Sequence, residues 1–181
     1  MTSYCTYCIS HPEDTFNRNY HDTQYGFPLN DDNALFERLV LEINQAGLSW
    51  ITILKMAGNF HYAYDGFVIE KVARYKEKDR ARLLADTGII RNRLKVNAAI
   101  TNAQKIIELR KEFRSFKGWL DTYHPRSLEE WLPLFKRTFV FTGGEIVNEF
   151  LVSTGYLPGA HDKDCPIYRK IESLRPPWLG R

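Results

Sequence analysis

An all-α fold is what this sequence predicts, on three observations. Apolar residues recur at helical spacing in two long segments, Leu35, Leu39, Ile43 and Ala46 in one and Val96, Ile100, Ala103 and Ile107 in the other. Helix-capping residues stand ahead of such segments, among them Asp31, Asp32, Ser49 and Ser127. No stretch alternates with period two for long, and Thr138 to Thr142 is the one candidate for a short strand.

Residues 1–30 mix aromatics, His, Pro and turn formers without a sustained period, and read as an ordered but irregular arm. Asp31 and Asp32 can then cap an amphipathic helix from Ala34, whose stripe Phe36 and Val40 broaden and which ends at Gly47. Ser49 starts another through Trp50, Ile53 and Leu54 to Gly58, with Asn59 as the break. The aromatic segment Phe60, Tyr62, Tyr64, Phe67 follows, closed by Asp65-Gly66. Ile69 to Tyr75 and Asp79 to Ala85 read as two short helices, Asp86-Thr87-Gly88 interrupts the pattern, and a long helix runs from Arg91 to about Phe113. Two helices thus flank a Gly-centred hairpin within about 78–113. Short helices over Phe116 to Tyr123, from Ser127 to Phe135 and from Gly144 to Thr154 complete the pattern, with a turn at His124-Pro125. There is no internal repeat, and 181 residues fit a single domain, 1–181.

A composition 44% hydrophobic and 26% charged excludes a disordered chain. No apolar run approaches the roughly 20 residues of a membrane helix, and no basic segment with an apolar core opens the chain, so a soluble cytoplasmic protein is the expectation, and a monomer is expected as well. A net charge of +3 permits a polyanionic partner, with Arg91, Arg93, Lys95, Lys105, Arg110 and Lys111 gathered on one stretch. Three cysteines cannot form a closed disulfide framework. Cys5 and Cys8 (C-x2-C) with His161 and Cys165 (H-x3-C) suit a tetrahedral zinc instead, although His11 and His21 also lie near Cys5 and only four ligands fit. Such a site would clip the terminal segments 1–30 and 155–181 together.

Two further constellations carry chemistry. In Asp86-Thr87-Gly88-Ile89-Ile90-Arg91, Gly88 allows positive φ, and amide groups at the next helix start can face a phosphate with Arg91 and Arg93 adding charge, as a helix-hairpin-helix holds a DNA backbone. Glu42 interrupts the run Leu39-Val40-Leu41-Glu42-Ile43 at the border of the apolar stripe. With Trp50, Tyr7, Tyr20 and Tyr25 it can form an aromatic slot with one carboxylate at its wall, suited to a flat cationic ring.

These residues carry a resemblance. Glu42 to Lys55 (EINQAGLSWITILK) strongly resembles the signature of the 3-methyladenine DNA glycosylase I family. Tyr20-His21-Asp22 with Tyr25-Gly26 and Pro28 is similar to that family's N-terminal motif, Thr87 to Arg93 to its hairpin, and His161 with Cys165 to its zinc pair. The resemblance implies an all-α, helix-hairpin-helix glycosylase with a structural zinc held by Cys5, His21, His161 and Cys165, leaving Cys8 spare. It implies that Glu42 hydrogen-bonds the excised base, that Trp50 stacks on it, that Tyr20 and Tyr25 complete the pocket, and that Gly88, Ile90, Arg91 and Arg93 contact the DNA backbone. Where the family commonly has Cys-Gly-Trp this chain has Cys5-Thr6-Tyr7, Asn17 stands in place of a pocket Tyr, and Tyr25 in place of Trp.

The expected activity is monofunctional hydrolysis of the glycosidic bond of 3-methyladenine in double-stranded DNA, with no Schiff-base lysine; a noncatalytic damage-binding module of the same fold is the second expectation. Methylation makes the ring cationic and weakens that bond, so the protein's task is to flip, hold and expose. Flipping costs a few kcal/mol, and stacking on an aromatic returns about 1–3 kcal/mol.

Overall fold

The computed structural model describes residues 3–180; Met1, Thr2 and Arg181, the extremities of the two terminal segments, lie outside the described residues. Among the described residues every regular element is helical. The segment 1–30 is not an irregular arm: it holds α1 (Tyr4–Ser10) and α2 (Thr15–Thr23). Each is too short for a hydrophobic period to show. Their starts are fixed instead by side-chain caps, the Ser3 hydroxyl accepting from the Thr6 amide and the Asp14 carboxylate from the Asn17 amide.

The central helix, α3 (Asp32–Gln45), starts where expected, Asp31 accepting from the Ala34 amide. It is not amphipathic. Of residues 35–44 only Glu37 escapes full burial, because α4 (Trp50–Ala63), α7 (Arg93–Phe113), α8 (Phe116–Tyr123) and α10 (Gly144–Ser153) surround it. Asp32 caps a different helix from its own: its carboxylate accepts from the Phe116 and Lys117 amides at the start of α8 and from Arg110 Nε. The α4 helix continues through Gly58 and Asn59, since Phe60 and Ala63 are buried and hold the last turn against the core.

After a 3₁₀ turn (Asp65–Phe67) come α5 (Ile69–Val72), α6 (Glu77–Ala85) and α7. Then α8 joins α9 (Leu128–Thr138) through a cis His124-Pro125 bond, and Ser127 with Glu130 forms the capping box of α9. Trp119, Trp131, Phe135, Phe116 and Phe150 pack there as an aromatic core, with Trp119 and Phe135 edge to face at 5.3 Å. Of the stretch Thr138 to Thr142, Thr138 ends α9 and Phe139 to Phe141 form a bend, not a strand; Asn102 on α7 holds it by accepting from the Val140 amide and donating to the Val140 carbonyl. The chain closes with α11 (Pro166–Ser173) and a 3₁₀ turn (Pro177–Leu179).

Lys95, counted in sequence with the basic stretch, is buried. Its Nζ donates to the carbonyls of Asn44 and Ala46, both at 2.8 Å, and so caps the C-terminal end of α3. Lys95→Met leaves those two carbonyls without their donor. The expected loss is about 1–3 kcal/mol of unfolding free energy, read as a lowered urea midpoint at unchanged m-value.

Candidate functional site

Because α3 is locked on all sides, its side chains project to fixed places. Glu42 and Gln45 reach a cavity of about 250 Å³ whose other walls are Tyr4 from α1, Tyr20 from α2, Tyr25 from the turn that follows, Trp50 at the start of α4 and Glu149 from α10. That volume lies just under the ~300–1,000 Å³ of drug-sized sites and suits a single flat ring system. The rings form a continuous wall: Tyr20 to Trp50 at 5.1 Å, Tyr20 to Tyr25 at 5.5 Å and Tyr4 to Tyr25 at 5.4 Å between centroids. Trp50 is half-buried, and its indole N–H is enclosed without an acceptor among the described residues.

Glu42 is only 4% exposed. Burial pushes its carboxyl up to about 8; Arg38 one turn earlier pulls the other way, and Glu149 across the cavity adds to the rise. Arg38 makes no ion pair with Glu42. Its guanidinium donates to the Tyr20 hydroxyl at 2.7 Å and lies 4.9 Å over the Tyr20 ring, which occupies it elsewhere. Burial also raises Glu149, whose carboxylate accepts from the Tyr25 hydroxyl at 3.3 Å and from Asn148 at 3.2 Å. Sequence reasoning missed both Tyr4 and Glu149.

Tyr7 is outside the slot. Its ring stacks on His11 at 4.3 Å and its hydroxyl donates to Asp14. In α1 the buried face is Cys5 and Cys8, which turns Tyr4 toward the slot and Tyr7 away, a choice invisible until the arm is known to be helical. Asn17 does not line the slot either; it accepts from the Tyr4 hydroxyl at 2.9 Å and so positions the ring that does.

A groove beside the slot shares Gln45 and Glu149 with it and is otherwise walled by Ala46, Gly47, Gly143, Gly144, Glu145 and Ile146. Leu48 is exposed at the tip of the α3–α4 turn, its carbonyl accepting from Gln45 Nε2.

The second site joins the chain ends. Ligand atoms of Cys5, His21, His161 and Cys165 lie within 4.8 Å of one another, all four side chains buried. Individual separations are 3.1 Å for His161 Nδ1 to His21 Nε2, 3.5 Å for Cys5 Sγ to His161 Nδ1, and 3.7 Å from Cys165 Sγ to each histidine nitrogen. A tetrahedron with Zn–N near 2.0 Å and Zn–S near 2.3 Å has edges of about 3.3–3.8 Å. The outer nitrogens are engaged as a metal site needs, His21 Nδ1 with Asp22 at 2.7 Å and His161 Nε2 with the Tyr25 carbonyl at 2.8 Å. Cys8 is buried outside the cluster, its thiol pushed up to about 11 by burial, and His11 is exposed; neither joins it.

The hairpin between α6 and α7 is present but built differently from expectation. Gly88 is not at positive φ; what it needs is closeness, because a Cβ there would meet Asn59 Nδ2 at 3.0 Å and Asp86 Oδ1 at 3.1 Å. Its amide donates to Asp86, and the Asn92 side chain takes the Leu94 and Lys95 amides, so these N–H groups already have acceptors. Ile90 is half-buried, and Arg91 and Arg93 are exposed, Arg93 in a loose ion pair with Glu77 at 3.9 Å. The rest of the basic stretch is mostly neutralised: Lys95 is internal, Lys105 pairs with Glu108, and Arg110 with Asp32 and Glu70.

The methyladenine glycosylase family model matches residues 10–133. This chain belongs to that family. It is 43% identical to the DNA-3-methyladenine glycosylase 1 of Escherichia coli, over 82% of this chain and 89% of that one, and 31% identical to the DNA-3-methyladenine glycosylase of Haemophilus influenzae, over 82% and 90%. Its fold is similar to that of 3-methyladenine DNA glycosylase I from Staphylococcus aureus, with a TM-score of 0.81 at 32% identity, covering 92% of this chain and 98% of that one. A Tyr-to-Phe variant of a 3-methyladenine DNA glycosylase I in complex with 3-methyladenine aligns equally well, with a TM-score of 0.81 over 89% of this chain and 96% of that one.

The position of Glu42 has a measurable consequence. With its carboxyl at about 8 in the folded chain against 4.5 ordinarily, the folded state binds the extra proton in that interval. Stability present below pH 4.5 is therefore lost as pH rises toward 8. Glu42→Gln should remove this loss, leaving the variant more stable than wild type at pH 8 by a few kcal/mol, with the gap narrowing by pH 5.5. Urea titrations of both proteins at each pH check it, and parallel pH slopes would contradict the burial argument.

Proposed function

We propose that the protein is a DNA-3-methyladenine glycosylase, a base-excision repair enzyme that hydrolyses the N-glycosidic bond of 3-methyladenine in alkylated double-stranded DNA. The observation that carries this is the acidic side chain of Glu42 at the floor of a slot walled by Tyr4, Tyr20, Tyr25 and Trp50. A base methylated at N3 is flat and cationic. Stacking on Trp50 holds the flat face, and Glu42, ionised by the arriving charge, accepts hydrogen bonds from its amino edge; such charge-assisted bonds are about twice as strong as neutral ones.

The base already carries positive charge, so its departure needs little acid catalysis, and the reaction is monofunctional. Lys95, the lysine nearest this arrangement on α7, is committed to the α3 carbonyls and is no nucleophile. Flipping takes the nucleotide through the groove between Gly47 and Gly143, and the exposed Leu48 at that rim is the side chain placed to fill the vacated stack. The α6–α7 unit acts as a helix-hairpin-helix, with Gly88 and Ile90 shaping the turn and Arg91 and Arg93 meeting the phosphates.

Zinc suits the second site: two cysteines and two histidines, all buried, with ligand atoms within 4.8 Å of one another, are a donor set that supports a structural metal. When bound it supplies a fixed joint between α1, α2 and the segment before α11.

Two outcomes follow. Glu42→Gln should lower single-turnover release of 3-methyladenine from methylated duplex by about 10–100-fold while leaving nonspecific DNA affinity within about twofold; equal loss of both in a folded variant would remove the base-reading role. Metal analysis should find one zinc per chain, kept in Cys8→Ser and lost in Cys165→Ser, with Tm falling by roughly 5 °C or more in the latter. A zinc-free wild type that melts normally would exclude the clip.

A further inference from the structure

We infer that Glu149 is a catalytic residue of this site, the base that takes the proton of the attacking water, while Glu42 serves the departing purine; this rests on the glycosylase reading above. The two carboxylates share one slot but not one position. Glu42 lines only the inner cavity and is buried on α3. Glu149, on α10, lines both the inner cavity and the outer groove. A nucleotide whose base fills the inner cavity has its deoxyribose at the junction of the two spaces, where Glu149 stands.

Its surroundings orient it and, burial first, raise its affinity for a proton. Glu149 is half-buried, so the groove gives water access to it. The Tyr25 hydroxyl donates to Oε2 and Asn148 donates to Oε1, which orients the carboxylate and favours its charged form against the burial that opposes it. The titratable groups around it are Glu42 from α3, Tyr25, Tyr20 and Tyr4 from the N-terminal part, and Glu145 one turn earlier on α10. No cation among them neutralises it, so its negative charge also faces the positive charge that develops on the sugar.

The step balances. The C1′–N9 bond breaks with its electron pair going to N9, which cancels the ring's positive charge and releases neutral 3-methyladenine. The oxygen of water bonds to C1′, and its proton passes to Glu149, which returns it to solvent through the groove.

The test separates chemistry from binding. In Glu149→Gln, calorimetric affinity for free 3-methyladenine should stay within about threefold of wild type and duplex affinity within about twofold, while single-turnover release from methylated duplex falls about 10–100-fold, modest for general-base loss because the leaving group is cationic. Glu149→Ala should lose at least as much and regain part of it on addition of formate, an external carboxylate that no structural role would let substitute. Release at the wild-type rate in Glu149→Gln overturns the assignment, as does free-base affinity that falls in step with the rate, or a Glu149→Ala rate that formate leaves unchanged. A wild-type protein that releases no base overturns the glycosylase reading itself, and this one with it.

Discussion

A carboxyl group buried on the central helix, with its nearest cation turned to another partner, is the constraint around which this molecule is arranged. A helix enclosed on every side ordinarily carries apolar residues throughout. Here α3 buries Arg38 and Glu42 one turn apart, and they do not neutralise each other by contact. Tyr20 takes the guanidinium by hydrogen bond and by its ring face. Glu42 therefore keeps a proton to an unusually high pH. Helices α4, α7, α8 and α10 and the Lys95 cap hold α3 in place and keep the carboxyl out of water, so it stays protonated until a cationic ligand favours its ionised form.

The chain ends serve the same slot. The Cys5, His21, His161, Cys165 cluster is linked to it through His161, whose Nε2 donates to the Tyr25 carbonyl. Gly26, next along, is at φ +79, and a Cβ there would come within 2.5 Å of Ala160. Its amide donates to Ser153 at the end of α10, the helix that carries Glu149. Thus one turn, Tyr25-Gly26, receives the C-terminal loop on one side and α10 on the other. Drawing the termini together fixes Tyr4, Tyr20 and Tyr25 relative to α3, and side chains from sequence positions nearly 150 residues apart come to face one another.

Helices were legible where an apolar period or a cap residue marks them in the sequence, as in α3, α7, α8 and α9. The bounds of α8 match the sequence pattern to the residue, and α3, α7 and α9 start within two residues of expectation. The arm was not legible, since α1 and α2 are seven and nine residues held by caps and by the cluster rather than by a stripe. Glu42, Trp50, Tyr20 and Tyr25 could be singled out because a carboxylate breaks an apolar run beside an aromatic-rich segment. Tyr4 and Tyr7 are indistinguishable without the helical phase of α1. Glu149 gave no signal, because in Ile146-Val147-Asn148-Glu149-Phe150 it reads as the polar face of an ordinary surface helix, and only the packing of α10 on α3 brings it to the slot. The basic stretch misled for the opposite reason: spacing along the chain counts charges, and tertiary structure had already paired most of them.

On the proposed base-reading role of Glu42, selectivity reduces to a comparison of two protonation states. With the Glu42 carboxyl at about 8, ionising it at pH 7 costs roughly 1–2 kcal/mol. A neutral purine offers nothing that favours ionisation, so it meets a carboxylic acid and forms hydrogen bonds of neutral strength, worth roughly 0.5–1.5 kcal/mol each. A cationic purine of the same shape displaces the proton and forms charge-assisted bonds of about 1.5–3 kcal/mol each, reinforced by direct attraction in a site of low polarity. Two such bonds already exceed the cost of ionisation, whereas shape alone could not tell the two rings apart by more than a methyl group. On that reading, raising the carboxyl's affinity for a proton is what lets the site read charge: undamaged adenine meets a neutral acid, whereas a ring that brings its own positive charge favours the carboxylate.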